Sequence, residues 1–136
     1  MKQKKYQHVT CSLDSKTGIF FAEYENNLKV DLAVAKIIVA NRFEFTDNTP
    51  HYVVIDISNV KEVTAEAKEY MQHPEGGLKN ILGAAFIANN PVAELLANIY
   101  VKTPMDFEAR FFRKKEEAVN WIQGYMNRKK PLESID

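Results

Sequence analysis

Only one cysteine, Cys11, occurs in 136 residues. One thiol excludes an intramolecular disulfide and any multi-cysteine zinc site. The three histidines, His8, His51 and His73, are scattered and lack metal-ligand spacing, so no metal is assigned. Net charge is also missing. Eighteen basic and eighteen acidic residues cancel, which removes the electrostatic motive for a nucleic-acid partner. No apolar run approaches the roughly 20 residues that cross a bilayer. The opening MKQKKYQHV has the charges of a signal peptide without the apolar stretch behind them. These absences make the cytoplasm the default location. Glu75-Gly76-Gly77-Leu78-Lys79 holds glycines and a lysine but matches neither the phosphate-loop nor the dinucleotide fingerprint, and reads as a loop. No nucleophile–base pair is offered, so the chain reads as non-enzymatic, with no cofactor.

What is present suits one soluble domain. The apolar fraction is 46% and the charged fraction 26%, ordinary for a globular chain. A domain of this length buries roughly two-thirds of its unfolded surface and needs no covalent staple.

Taken in order, residues 1–5 are polar and are expected to fray. Val9, Cys11 and Leu13 alternate with polar residues, the period of a half-buried strand. Asp14 to Gly18 supplies turn chemistry. Ile19 to Glu25 follows, with Phe20, Ala22 and Tyr24 on one face and Ile19 and Phe21 on the other, completing a hairpin. Asp31 is a good N-cap for a helix from Leu32 to about Phe45. At about 100° per residue, Leu32, Ala35, Val39 and Phe43 share one side, while Val34, Ile38 and Phe45, with Ile37, gather nearly opposite. The second group needs another helix, a second copy of the chain or an apolar ligand to cover it.

Tyr52 to Ser58 is almost continuously β-branched, as in a strand buried on both faces. A polar loop then leads to Thr64, which caps a helix from Ala65 to about Gln72 ended by His73-Pro74. Ile81 to Ala88 reads as a second buried strand. Asn90-Pro91 opens a helix with Val92, Leu95, Leu96, Ile99 and Tyr100 as its core face. Phe107 to Phe112 alternates as a strand. The last helix, Lys115 to about Met126, places Ala118, Trp121, Ile122 and Tyr125 at helical spacing, and residues 128–136 read as a loose tail. The expected architecture is α/β: a mixed sheet of about five strands, an N-terminal hairpin followed by alternating helices and strands.

In open α/β sheets, sites collect beyond the carboxyl ends of strands. Asp56, Ser58, Asn59, Thr64 and Glu66 place oxygen-bearing side chains there, in or beside the loop from Ser58 to Thr64. The plainer account has Asp56 and Ser58 satisfying loop amides, Thr64 capping and Glu66 complementing the helix dipole.

The run Val54-Ile55-Asp56-Ile57-Ser58-Asn59-Val60, continuing to Thr64-Ala65-Glu66-Ala67, resembles the central strand, loop and helix of STAS domains, which have the SpoIIAA-like fold. The Phe111-Phe112-Arg113 strand and the helix from Glu117 to Ile122 are similar to the C-terminus of small bacterial STAS-like proteins. The resemblance implies a regulatory, protein-interacting module. Members switched by phosphorylation carry serine or threonine in the first turn of this helix. Here Ala65 and Glu66 stand at the two serine positions, Thr64 at the aspartate and Ala67 at the glycine. Either the switch is lost, or Thr64 has taken it over, or the domain does something else. Two uses follow: recognition of a protein partner through residues 58–67, or carriage or sensing of an apolar small molecule against the Leu32–Phe45 helix, since the fold is also similar to lipid-transfer domains. A homodimer through the spare helix face is compatible with both.

Overall fold

A computed structural model describes residues 2–129. Twelve elements follow in order: β1 (Lys2–Lys5), β2 (Val9–Leu13), β3 (Phe20–Tyr24), β4 (Leu28–Val30), α1 (Leu32–Phe45), β5 (His51–Asp56), β6 (Val60–Val63), α2 (Ala65–Met71), β7 (Ile81–Ile87), α3 (Pro91–Val101), β8 (Ala109–Phe112) and α4 (Lys115–Arg128). The main sheet has six strands in the order β1-β2-β3-β5-β7-β8. Its first three strands pair antiparallel, and β3, β5, β7 and β8 run parallel. This is the expected mixed sheet with one strand added at its edge.

That strand is β1, where fraying was expected. All four of its residues are exposed, so no alternation marks it. It pairs with β2 from Lys2↔Leu13 to Lys5↔Thr10. Lys2 Nζ donates to the Phe45 carbonyl at 3.1 Å, and Lys4 Nζ meets Glu44 Oε1 at 3.0 Å. Cations satisfying the end of α1 hold the edge in place, and lysines on an edge strand also discourage further pairing. Met1 and residues 130–136 of the expected tail lie outside the described residues. Arg128, expected in the tail, belongs to α4.

The sheet is buried on both faces. Phe20, Ala22, Tyr24, Val53, Ile55 and Ala84 point to a core shared with α1, α2 and α3. Ile19, Val54, Ala85 and Ile87 point to a core shared with α4 through Ala118, Ile122 and Tyr125. The period-two alternation of each strand sends neighbours to opposite layers. Gly83 is needed on the α4 side, because a Cβ there would sit 2.5 Å from a Tyr125 ring carbon.

Helix α1 begins and ends where its sequence predicts, with Asp31 Oδ1 accepting from Val34 N–H at 2.8 Å. Its faces differ from the expectation. Ala35, Ile38, Val39, Arg42 and Phe45 are buried together, a single stripe about 120° wide at about 100° per residue. Arg42, only 6% exposed, lies mid-stripe. Omitting it as a charge splits one apolar face into two. Val34, Ile38 and Phe45 therefore form no spare face: Ile38 and Phe45 are core, and the half-buried Val34 packs against it.

Helix α3 is rotated relative to the expectation. Ala93 and Ala97 are fully buried, Leu96 and Tyr100 are half-buried, and Val92 and Leu95 are 49% and 66% exposed. Short alanine side chains let the helix axis approach the sheet, and that close seat outweighs burial of the larger residues. No helix among the described residues is long and apolar enough to cross a membrane.

Candidate functional site

The stretch after β5 is not one loop. Val60–Val63 forms β6, which pairs parallel with β4 in a separate two-stranded sheet. A four-residue strand spans about 13 Å. Asp56, Ser58 and Asn59 therefore gather at one end, and Thr64 and Glu66 at the other. Asp56 Oδ1 accepts from Ser58 N–H at 2.9 Å. Ser58 Oγ accepts from Asn89 N–H at 3.2 Å, and its carbonyl accepts from Asn90 Nδ2 at 2.8 Å. Asn59 Nδ2 donates to the Tyr24 carbonyl at 3.0 Å. These three residues tie the ends of β3, β5 and β7 to the start of α3. Thr64 Oγ1 caps α2 by accepting from Ala67 N–H at 3.2 Å, and Thr64 N–H donates to the Val30 carbonyl at 2.9 Å. Glu66 is exposed.

A different site lies beneath the helices. An apolar cavity of about 70 Å³ lies between the sheet and α1, α2, α3 and β6. The sheet supplies Tyr24, Ile55, Ala84 and Phe86. Ile38 comes from α1, Met71 from α2, and Leu96 and Tyr100 from α3. The Tyr100 ring stacks on Phe86 with centroids 5.6 Å apart, fixing one wall. Leu78, Met105 and Phe107, from the connections before β7 and β8, are half-buried and carry the lining toward the surface. By the same measure about 10–15 Å³ holds one water, so this space takes roughly five or six.

A smaller void of about 30 Å³ adjoins it, sharing Tyr24, Ile38, Ile55, Met71, Gly77 and Ile81. Its own lining includes Cys11 and Arg42. The guanidinium is clamped: Nη1 donates to the Lys79 carbonyl at 3.0 Å and to His51 Nε2 at 3.1 Å, and Nη2 donates to the Gly77 carbonyl at 3.0 Å. His51 Nδ1 lies 2.8 Å from the Thr49 carbonyl. That bond assigns the ring proton to Nδ1 and leaves Nε2 as the acceptor. None of the ion pairs among the described residues involves Arg42.

A family model described as a domain of unknown function, DUF7793, matches residues 13–126. The chain belongs to the DUF7793 family. Its fold resembles the crystal structure of an uncharacterised DUF3478-family protein from Shewanella loihica PV-4, described as having a SpoIIAA-like fold. The TM-score is 0.60 at 13% identity, over 88% of this chain and 98% of that one. The DUF7793 domain thus has the SpoIIAA-like scaffold implied by the resemblance at residues 54–67. A comparison with curated proteins finds no match.

Burial governs the titratable groups of the DUF7793 cavity. It pushes the Tyr24 hydroxyl and the Cys11 thiol each up to about 12, against the opposing pull of Arg42. It also raises the Tyr100 hydroxyl. Burial lowers Arg42 to about 10, so the guanidinium is still charged at neutral pH. The site is a neutral apolar space with one cation at its end. Among the described residues, no cluster of three or more His, Cys, Asp or Glu could hold a metal. Of the three residues expected to form an apolar ligand face on α1, Ile38 lines this cavity and Val34 and Phe45 do not; the sequence reading did not include the Arg42 end. Its one legible signal was an arginine at the seventh position after Ala35, on the stripe that Ala35, Ile38 and Val39 define.

Proposed function

We propose that this DUF7793 domain is a non-catalytic binding module that carries or senses an apolar small molecule held in the cavity between the sheet and α1 to α3. The observation that supports this is the cavity itself. Its walls are almost wholly apolar, and an unfilled space forgoes dispersion contacts that a guest would restore. Met71 and Met105 belong to the lining, and methionine is the side chain that adapts most easily to guests of different shape. The guest reaches Ile38 from inside the fold rather than from an outer face of α1. With one buried thiol and no membrane-spanning helix among the described residues, we place this activity in the cytoplasm.

Native mass spectrometry of protein purified without detergent tests the proposal. Wild type is expected to carry an added mass that is lost on denaturation. Leu96→Trp, which fills the cavity from α3, is expected to lack it. A clean apo mass for wild type, unchanged on incubation with medium-chain alkyl compounds, would sink the proposal.

One observation favours a second reading, a surface for a protein partner. Val92 and Leu95 expose apolar side chains on α3, next to the point where Ser58 and Asn90 join. Such a strip, extended by Ser58 and Asn59, suits a partner or a second copy of the chain, whereas Thr64 and Glu66 lie beyond β6. Leu95→Glu is then expected to remove captured partners, or to convert a dimer to a monomer in light scattering, while Glu66→Arg leaves both unchanged. The same elution and partner set for all three proteins would count against this surface.

A further inference from the structure

We infer that the guest is an amphipathic monocarboxylate, with its hydrocarbon part in the larger cavity and its carboxylate at Arg42 in the adjoining void. This rests on the binding proposal above and names the chemistry of the same site.

Arg42 is 94% buried, being 6% exposed, and none of the ion pairs among the described residues reaches it. Its partners are two backbone carbonyls, a neutral imidazole and the face of the Phe43 ring, whose centroid lies 5.0 Å from the guanidinium carbon. They satisfy donors but neutralise no charge, and a buried ion without a counter-charge is costly to keep. An arginine has five N–H donors. Two bonds use Nη1 and one uses Nη2, and no fully buried side-chain nitrogen among the described residues is left without a partner, so the hydrogens not used in these bonds, on Nε and Nη2, are the ones open to a guest. A planar carboxylate accepts two such donors at once.

Dimensions and charge agree with that headgroup. The void beside Arg42, about 30 Å³, has room for about two waters by the same measure, the scale of a carboxylate. A single cation matches a monoanion better than a doubly charged phosphate. Six shared lining residues make the two spaces neighbours, and a guest in both would pass between those side chains. Tyr24 lines both, and burial keeps its hydroxyl protonated at neutral pH, so it can serve as a further donor. The volume of the larger cavity, about 70 Å³, favours a medium-chain or small aromatic acid over a long-chain one.

Isothermal titration of the full chain at neutral pH tests this with sodium octanoate, 1-octanol and octylammonium chloride, and with sodium phenylacetate to separate alkyl from aromatic acids. Octanoate or phenylacetate is expected to bind about tenfold or more tightly than 1-octanol, with octylammonium weakest, because a charge-assisted pair replaces a neutral contact. Arg42→Gln retains amide donors for the carbonyls but lacks the charge. It is expected to collapse the preference for octanoate over 1-octanol from about tenfold to about one. Equal binding of octanoate and 1-octanol to wild type would overturn the carboxylate inference and leave the cavity proposal standing. No binding of any probe would overturn both. If Arg42→Gln does not fold, the headgroup series on wild type decides alone.

Discussion

Gly77→Ala is expected to lower the unfolding free energy by about 3 kcal/mol or more, read as a fall in the urea midpoint with an unchanged slope. A Cβ at residue 77 would lie 2.2 Å from the Met71 carbonyl oxygen and 2.5 Å from the Met71 Cα. Those atoms are backbone at the end of α2, so no rotamer change relieves the overlap. Gly77 serves here through the absence of a side chain where two backbone segments touch. Its carbonyl accepts from Arg42 Nη2, and its backbone lines both voids. Displacing it also disturbs a charge-assisted hydrogen bond worth about 1.5–3 kcal/mol. Gly124→Ala is the matched control. It lies in α4, where the nearest atom to an added Cβ is 3.5 Å away, and alanine there is expected to add up to about 1 kcal/mol of stability. Equal, small effects at both positions would show that the 72–80 connection yields easily and holds Arg42 loosely.

Acidification is expected to remove roughly 3 kcal/mol of stability between about pH 6.5 and pH 4, most of it through His51. Burial holds this imidazole down at about 4, with the Thr49 carbonyl opposing and the Arg42 charge adding to the depression. In the unfolded chain the ring takes a proton as pH falls through about 6.5. In the folded chain it stays neutral until about 4. The unfolded state therefore binds the extra proton across that window. Stability is complete above the unfolded value and falls as pH drops toward the folded one. Asp14 and Glu44 add losses at lower pH. Their carboxyls are held below the ordinary range, Asp14 chiefly by the Lys16 N–H and the Thr17 hydroxyl, Glu44 chiefly by Lys4 and Tyr6. His51→Gln keeps a donor and an acceptor but has no proton to gain, so its chemical-denaturation stability is expected to stay nearly flat from pH 7 to about 5. The same slope in wild type and His51→Gln would place the titration elsewhere.

Local chemistry made much of the scaffold legible. Asp31, Thr64 and Asn90 each cap the helix assigned to them. The β-branched run at 53–55 became a central parallel strand because only a strand covered on both faces suits it. What escaped depended on distant partners. Lys2–Lys5 has no pattern of its own and is ordered by Phe45 and Glu44, about forty positions away. Val60–Val63 reads Val-Lys-Glu-Val, with no period of two to mark a strand, and its partner is the three-residue β4. The large residues of α3 were assigned to the core, yet Ala93 and Ala97 take that place, because the distance between helix and sheet is set by packing across the whole layer. The proposed 56–66 site failed to converge for the same reason: β6 divides it. The cavity is the mismatch of side-chain volumes from nine elements and three connections, and no window of sequence contains it.

The central claim, that the space beneath α1 to α3 takes up an apolar guest, is tested most directly by the methyl ¹H–¹³C spectrum of the protein during titration with sodium octanoate. Saturable shifts are predicted for Ile38, Ile55, Ile57, Met71, Leu96 and Met105, all of which line the cavity. Ile19 and Ile122, packed against the opposite face of the sheet, are predicted to stay in place. Cavity methyls that do not move at high octanoate, or shifts confined to the exposed Val92 and Leu95, would contradict the account.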